Sequence, residues 1–375
     1  LGTCSVHKVV MLLSKYKISA CLIVKNEEKY IEQAVSSAKQ LVDEVIVIDH
    51  NSTDLTPALA QKAGAVIFSR AWNDHFAEAR NYSIKKASNP FILIMDADEL
   101  LDTDEESLQL ACQSLREVKG SAARIQINNI TEQGTVSSWI TRLFPNESGY
   151  QFQGRIHEQL LYDGKPCISL NSTIELNHFG YSSIDVGLKD KINRNLNMLI
   201  SELQSRPNDP YVSFQLGRTY EQAKDWNLAY KFYNQAYEVV NAPYPPYYST
   251  LLHHISKVLM KLGEWDKFLS FIHFALEKYP DYTDLYYMYG SGIIEAKNIQ
   301  WFPNIPNIFN ICIELGEPDP GKYETTRGVG SYKAHYNLGV YYELTANKDL
   351  AVYHYEQSGK YGFTPAQLRL EALIN

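Results

Sequence analysis

Basic charge is in deficit in this chain of 375 residues: 35 Lys and Arg face 43 Asp and Glu, for a formal net charge of -8. Nucleic-acid binders normally carry a basic footprint, so that class is set aside. Attachment to a membrane surface through charge alone is disfavoured for the same reason. Cysteine is scarce and scattered. Cys4, Cys21, Cys112, Cys167 and Cys312 are odd in number and show no C-x-x-C spacing. Neither a disulfide framework nor a zinc site is expected, and reduced thiols fit. No apolar run approaches the ~20 residues that span a bilayer. Val9 to Leu13 is too short for the apolar stretch of a signal peptide. No P-loop or G-x-G-x-x-G lies between the first strand pattern and the first helix pattern, which counts against phosphoryl or nucleotidyl transfer. These absences lead to a cytoplasmic expectation, with peripheral membrane contact left open. Residues 1–10 look irregular, Met11 is a candidate second start, and neither receives a function.

What the chain does contain is a globular composition, 45% hydrophobic and 21% charged, over a length suited to two or three domains. Its most informative stretch is Phe91-Ile92-Leu93-Ile94-Met95-Asp96-Ala97-Asp98-Glu99. The short apolar run reads as a buried parallel strand. Alternation along a strand puts Asp96 and Asp98 on one side, at the carboxyl end where open α/β sheets hold ligands. Two hard oxygen donors there suit Mg2+ or Mn2+ shared with substrate phosphates.

Strand patterns at 18–24, 44–48, 65–68 and 91–95 alternate with helical patterns ending near Lys39, Ala63 and Ala87. That alternation indicates an α/β fold with a mostly parallel sheet and helices on its faces. Beyond residue 120, Ala123–Asn128, Trp139–Phe144 and Glu175–Asn177 read as strands that complete the sheet and carry acceptor-side loops. From Leu188 the chain turns helical and rich in tyrosine. Leu216-Gly217, Tyr220, Ala229, Phe232 and Ala236 follow the tetratricopeptide pattern. Copies recur around Leu262-Gly263, near Tyr286–Gly290, and at Leu338-Gly339. Trp226 to Trp265 and Ala236 to Ala275 share an offset of 39 residues. Trp301–Pro306 reads as an insertion. Tyrosines at helical spacing mostly pack repeat on repeat, and a minority would line a concave groove.

Four segments in order and spacing resemble a family 2 glycosyltransferase with the GT-A nucleotide-sugar fold. They are Cys21-Leu22-Ile23-Val24-Lys25-Asn26-Glu27-Glu28, Val47-Ile48-Asp49-His50-Asn51-Ser52-Thr53-Asp54, Trp72-Asn73-Asp74-His75-Phe76-Ala77-Glu78-Ala79-Arg80-Asn81, and Met95-Asp96-Ala97-Asp98-Glu99. Weaker similarity continues through Thr141-Arg142-Leu143-Phe144 and Gly154-Arg155-Ile156-His157-Glu158 to His178-Phe179-Gly180-Tyr181. With its helical repeats, the chain is similar to a subgroup that includes bacterial peptide S-glycosyltransferases of glycosylated bacteriocins. The division expected is an extension at 1–17, a GT-A domain at 18–187 and a tetratricopeptide-like domain at 188–375.

The resemblance implies a nucleotide-sugar donor, commonly a UDP-sugar, and a divalent cation, Mn2+ or Mg2+, bridging its diphosphate at Asp96 and Asp98. His178 is a further metal candidate. Val24, Glu27, Asp49, Arg80, Asn81, Asp96 and Ala97 fall where the family places donor contacts, with Asp49 expected on the base. Read as a bare sequence, Asp49 could equally form an Asx turn, and Arg80 could pair with Asp74 or Glu78. Trp72 reads as packing. An inverting reaction needs a base for the acceptor. Glu158 leads, with His157 and Glu99 as alternatives, and Asp98 joins the catalytic set. A QxxRW-type motif and membrane helices, found in processive synthases of the family, are both missing. The expected acceptor is a peptide side chain or a cell-surface glycan or lipid precursor, held partly by the repeats. The competing reading is a helical-repeat scaffold with a degenerate transferase domain.

Overall fold

The computed structural model describes residues 15–131, 134–179 and 188–374. The readings made for Cys4, Val9–Leu13, Met11, Gly180 and Tyr181 lie outside them.

The amino-terminal half is built on β1 (Ile18–Val24), β2 (Glu44–Asp49), β3 (Val66–Ser69) and β4 (Phe91–Met95), separated by α1 (Ile31–Lys39), α2 (Thr56–Lys62) and α3 (Phe76–Lys86). These four strands pair in parallel in the order β3-β2-β1-β4. The residues of β1, β2 and β4 are almost wholly buried, which explains their unbroken apolar runs, while β3 at the edge is partly exposed. One face packs on α1 and on α4 (Glu105–Glu117) through Leu22, Val47, Leu93, Leu108 and Leu115. The other packs on α3 through Ile48, Ile92, Ile94 and Ala77.

The sheet continues with β5 (Glu99–Asp102), β6 (Ser121–Thr131), β7 (Gly134–Pro145) and β11 (Ile168–His178), in the order β4-β7-β6-β11-β5. β7 runs antiparallel to both neighbours. A separate antiparallel sheet is formed by β8 (Tyr150–Gln153), β9 (Gln159–Tyr162) and β10 (Lys165–Pro166). The alternating pattern thus marks the parallel half well. It misses α4, although Leu108, Ala111, Cys112 and Leu115 keep a helical period, and it misses β5 and the small sheet, whose short segments carry no sustained period.

The helical half opens with α5 (Leu188–Ser205). Antiparallel pairs follow: α6 (Pro210–Gln222) with α7 (Trp226–Val239), α8 (Tyr248–Leu262) with α9 (Trp265–Lys278), α10 (Thr283–Ala296) with α11 (Ile305–Leu315), and α12 (Tyr332–Leu344) with α13 (Lys348–Gly359). α14 (Thr364–Ile374) closes the described chain. The expected insertion at 301–306 is a short 3-10 turn leading into α11. Within pairs, small residues admit aromatic rings. A Cβ on Gly217 would stand 2.4 Å from the Tyr233 ring, and one on Gly339 would stand 2.5 Å from Tyr355. Gly290 receives Phe309 in the same way, and Gly292 receives Phe268 from α9 of the preceding pair.

The two halves join at two places. Trp72, Phe76 and Ile156 of the first half pack with Met198, Leu199, Val212 and Leu216 of α5 and α6. In addition, β12 (Thr325–Thr326), from the loop between α11 and α12, pairs antiparallel with β7 at Ser137 and Val136. The Arg124 guanidinium donates to the Gly321 carbonyl beside it, at 3.1 Å. The helical half therefore supplies a strand to the sheet.

Candidate active site

The site lies at the carboxyl ends of β1, β2 and β4. After β1 and β2 the chain turns through Asn26 and Asn51, both at φ near +57°, a conformation Asn tolerates better than most residues. The two turns lock each other. Asn26 Oδ1 accepts from Thr53 N at 2.8 Å, and Glu28 Oε2 accepts from Leu55 N at 3.1 Å. Asp54 Oδ2 accepts from Glu28 N at 3.2 Å. Asp49 is buried at the end of β2, its carboxylate accepting from Ser52 N at 3.3 Å. The Asx turn expected as an alternative is therefore formed. Val24 lies opposite Asp49 in the ladder and accepts from His50 N. Glu27 sits at the rim, its carboxyl pushed up to about 7 by burial first and by the charge of Asp98 second.

The Asp96 and Asp98 carboxylates do not act as a pair. Asp96 Oδ1 accepts from Arg80 Nη2 at 2.7 Å and Oδ2 accepts from Arg142 Nη2 at 2.8 Å. Asp98 Oδ2 instead lies 3.1 Å from His178 Nε2, and His178 Nδ1 lies 2.7 Å from Asn129 Oδ1. Ala97 is buried between them. Burial opposes charge on Asp96, but Arg142 and then Arg80 outweigh it and hold the carboxyl well below the usual range. Burial likewise opposes charge on His178. The hydrogen bond and charge of Asp98 prevail, and the imidazole is raised.

Arg80 does not pair with Asp74 or Glu78. Its Nε donates to Glu158 Oε1 at 2.5 Å, so one buried guanidinium joins Asp96 to Glu158. Glu78 pairs with Arg70 instead. Both amide atoms of Asn81 are taken by the backbone of Phe152, Nδ2 donating to its O and Oδ1 accepting from its N, each at 2.9 Å. Asn81 therefore clasps β8 to α3, with one N–H and one oxygen lone pair beyond that clasp. Trp72 packs edge to face on His50 and Phe76, as its packing role requires.

Glu99 accepts from Asp96 N at 2.8 Å and from Arg142 Nη2 at 3.2 Å. It is 3% exposed, which takes it out of reach of an acceptor and corrects its candidacy as base. Burial raises its carboxyl, against the pull of Arg142. His157 has φ = +52°, an uncommon conformation for a residue with a Cβ.

Arg142 is the residue that sequence reasoning left without a role. Ala123 and Arg124 of β6 face Leu143 and Thr141 of β7, so Arg142 between them is the extra residue of a β-bulge. Bulges re-aim side chains beside sites, and this one directs a guanidinium to Asp96 and Glu99. A lone Arg inside an apolar strand was the available signal.

Do these residues fit a divalent cation? Asp98 and His178 offer one oxygen and one nitrogen at the cleft, and no cluster of three such side chains occurs among the described residues. A two-donor set suits a cation that completes its shell from substrate phosphates and water. Asp96 has each oxygen on an arginine, so a cation there would share those oxygens with Arg80 or Arg142.

Residues 19–154 match Glycosyl transferase family 2. A TPR repeat-containing protein of Synechococcus elongatus is 29% identical over 274 residues, 71% of this chain and 67% of its own. The SPbeta prophage-derived glycosyltransferase SunS of Bacillus subtilis is 27% identical over 206 residues, 54% of this chain and 48% of its own. An uncharacterized glycosyltransferase of Rickettsia felis is 41% identical over 88 residues, 24% of this chain and 31% of its own. The chain thus spans about half of SunS and about a third of the Rickettsia protein. No helix among the described residues is long and apolar enough to cross a membrane. Residues 19–154 form a family 2 glycosyltransferase domain, and the helices that follow are tetratricopeptide-like repeats.

Proposed function

We propose that this protein is a metal-dependent, inverting glycosyltransferase that moves a sugar from a nucleotide-sugar, a UDP-sugar in the first instance, to a nucleophilic acceptor. The observation that carries the reading is the division of labour at Asp96-Ala97-Asp98. Asp96 is fixed by two buried arginines, and Asp98 is turned to His178 at the mouth of a family 2 domain. Asp98 and His178 would hold the cation, with Mn2+ and Mg2+ both compatible with that donor set. When bound, the cation supplies Lewis-acid neutralisation of charge on the leaving diphosphate.

Asp49, Val24 and Glu27 line the ends of β1 and β2, where the nucleoside would lie. Arg80 and Arg142 do not reach out as phosphate clamps in this arrangement. They orient Asp96 and hold Glu158. Glu158 Oε1 is fixed by Arg80, and Oε2 is the oxygen assigned to the acceptor proton. A carboxylate held in place by a guanidinium keeps its direction, as a general base requires. The acceptor class, a peptide side chain or a glycan or lipid precursor, would be met between residues 18–187 and the repeats of 188–375.

The test is calorimetric titration of the full chain with UDP and UDP-sugars, with Mn2+ and after chelation. UDP binding should require the cation and disappear in Asp98→Asn. Asp96→Asn should bind the cation but lose turnover. Nucleotide binding indifferent to both the cation and Asp98→Asn would remove the metal-dependent reading.

A further inference from the structure

A cavity of about 130 Å³ lies between the loop 154–158 and the start of the repeats. That is roughly ten times the ~10–15 Å³ that admits one water, the scale of a single pyranose ring with its hydroxyls. From the sheet half, Gln153, His157 and Gln159 line it; from the helical half, Tyr211 and Gln215 do. Its apolar patches come from Ile156, Leu199 and Val212, all buried.

The chemistry of this lining is specific. Three side-chain amides and a phenol offer both donors and acceptors. His157 reaches solvent at the wall but is ringed by protein, and burial first, with the Arg218 charge second, pushes its imidazole down to about 4. It is neutral at ordinary pH and adds one donor and one acceptor. The charged groups at the rim cancel. Arg206 lies 2.5 Å from Glu202 and 2.9 Å from Asp209, and Arg155 lies 3.8 Å from Glu202. Of these, Arg206 and Asp209 line the cavity, one cation and one anion, so the lining itself carries no net formal charge. Uncharged polar groups over apolar patches match a ring with equatorial hydroxyls and an apolar face. They offer no counter-charge for a phosphate or a carboxylate.

The position ties the cavity to the reaction. His157 faces it, and the next residue, Glu158, is bonded to Arg80 and through it to Asp96. Arg155 O accepts from Phe76 N at 2.7 Å, anchoring the same loop on α3. We propose that this interdomain cavity is an acceptor subsite for one neutral sugar unit, so that the acceptor is a glycan or a glycosylated molecule. The assignment rests on the transferase reading above.

Saturation-transfer NMR on the full chain tests it. The probes are the methyl pyranosides of glucose, galactose, mannose and N-acetylglucosamine, with a UDP titration in parallel. At least one glycoside should show transfer, reduced fivefold or more in both Gln159→Leu and Gln215→Leu, while UDP affinity stays within twofold. Gln159 is exposed, so that variant keeps the test valid should Gln215→Leu fail to fold. No transfer from any glycoside, or transfer unchanged in the folded variants, overturns the subsite. UDP binding without glycoside binding refutes the subsite and leaves the donor reading intact. Glycoside binding lost in the variants, in protein that binds no nucleotide, does the reverse.

Discussion

The two halves of this chain solve burial in opposite ways. The sheet half fills its core with branched aliphatics such as Ile46, Ile48, Ile92 and Val47, then places charge at the strand ends. Arg80, Arg142, Glu99 and Asp49 are all less than a tenth exposed there. The helical half has few buried ions, and it relies on shape. Tyr233, Phe268, Phe309 and Tyr355 are fully buried, each ring seated on a glycine of a neighbouring helix. The contrast separates two uses of an interior. Ring-on-glycine contacts stabilise by dispersion and area, and the Tyr233 and Tyr355 hydroxyls donate to Glu221 and Glu343. Buried ion pairs cost desolvation that their attraction only offsets, so their retention at one place is accounted for by what they orient.

Cutting the chain after residue 187 should have the largest effect, because it challenges the separateness of the halves itself. The cut bares Trp72, Phe76 and Ile156 and removes β12 from the edge of β7. An uncovered edge beside apolar surface favours association. The expected result is aggregated protein by gel filtration with no UDP binding. A monomeric fragment with full acceptor specificity would show that the repeats select nothing.

Arg80→Met is next. It leaves Glu158, whose side chain is 11% exposed, without its partner, while Asp96 keeps Arg142; breaking a buried pair costs about 3–5 kcal/mol, read as a fall in urea midpoint together with lost transfer. Were the variant as stable as the parent and fully active, the orienting role of the network would be wrong.

The shape-based half is probed by Gly217→Ala. Its Cβ would meet the Tyr233 ring at 2.4 Å, and overpacking of this kind costs about 1–3 kcal/mol, partly offset by the ~1 kcal/mol helix preference of Ala over Gly. Gly359→Ala supplies the contrast, since its Cβ meets only Gln367 Cγ at 3.6 Å. It should be neutral or stabilising in the same thermal melt. Equal losses at both positions would deny the ring-on-glycine account.

A pH dependence follows from a buried acid behind β12, the strand that the helical half lends to the sheet. Asp284, on α10, accepts from Thr326 N of β12 at 2.9 Å, and burial pushes its carboxyl up to about 7. Between about 4 and about 7 the folded protein keeps this proton while the unfolded chain has lost it. Stability therefore falls as pH rises through that window, by at most ~1.4 kcal/mol per pH unit, and the loss is complete above it. Asp284→Asn should flatten that dependence in melts from pH 4 to pH 8. An unchanged slope would mean that another group carries it.

Much of the site was legible before any coordinates. Asp49, Asp96 and Asp98 follow apolar runs that could only be strands, and strand ends are where such folds hold ligands. What could not be read was which partner each group takes. Arg80 carries no mark in the sequence that it prefers Asp96 and Glu158 to its helix neighbour Glu78. Arg142 gains its role from a bulge, a mismatch between two strands that neither strand shows alone. The Asn81 clasp depends on β8, which is too short to announce itself.

By itself, then, the sequence determined the order of the parallel strands and the helices between them, the recurrence of glycine and aromatic residues in the repeats, and the acids that close β2 and β4. These follow from local periodicity and turn chemistry, which act within a few residues. The tertiary structure decided that Asp96 is held by arginines while Asp98 turns to His178, that a loop between α11 and α12 becomes a strand of the sheet, and that a neutral cavity opens between loop 154–158 and α6. Each of those joins residues 16 to 190 positions apart. Contacts at such separations are set by how whole elements pack, and no local pattern encodes them.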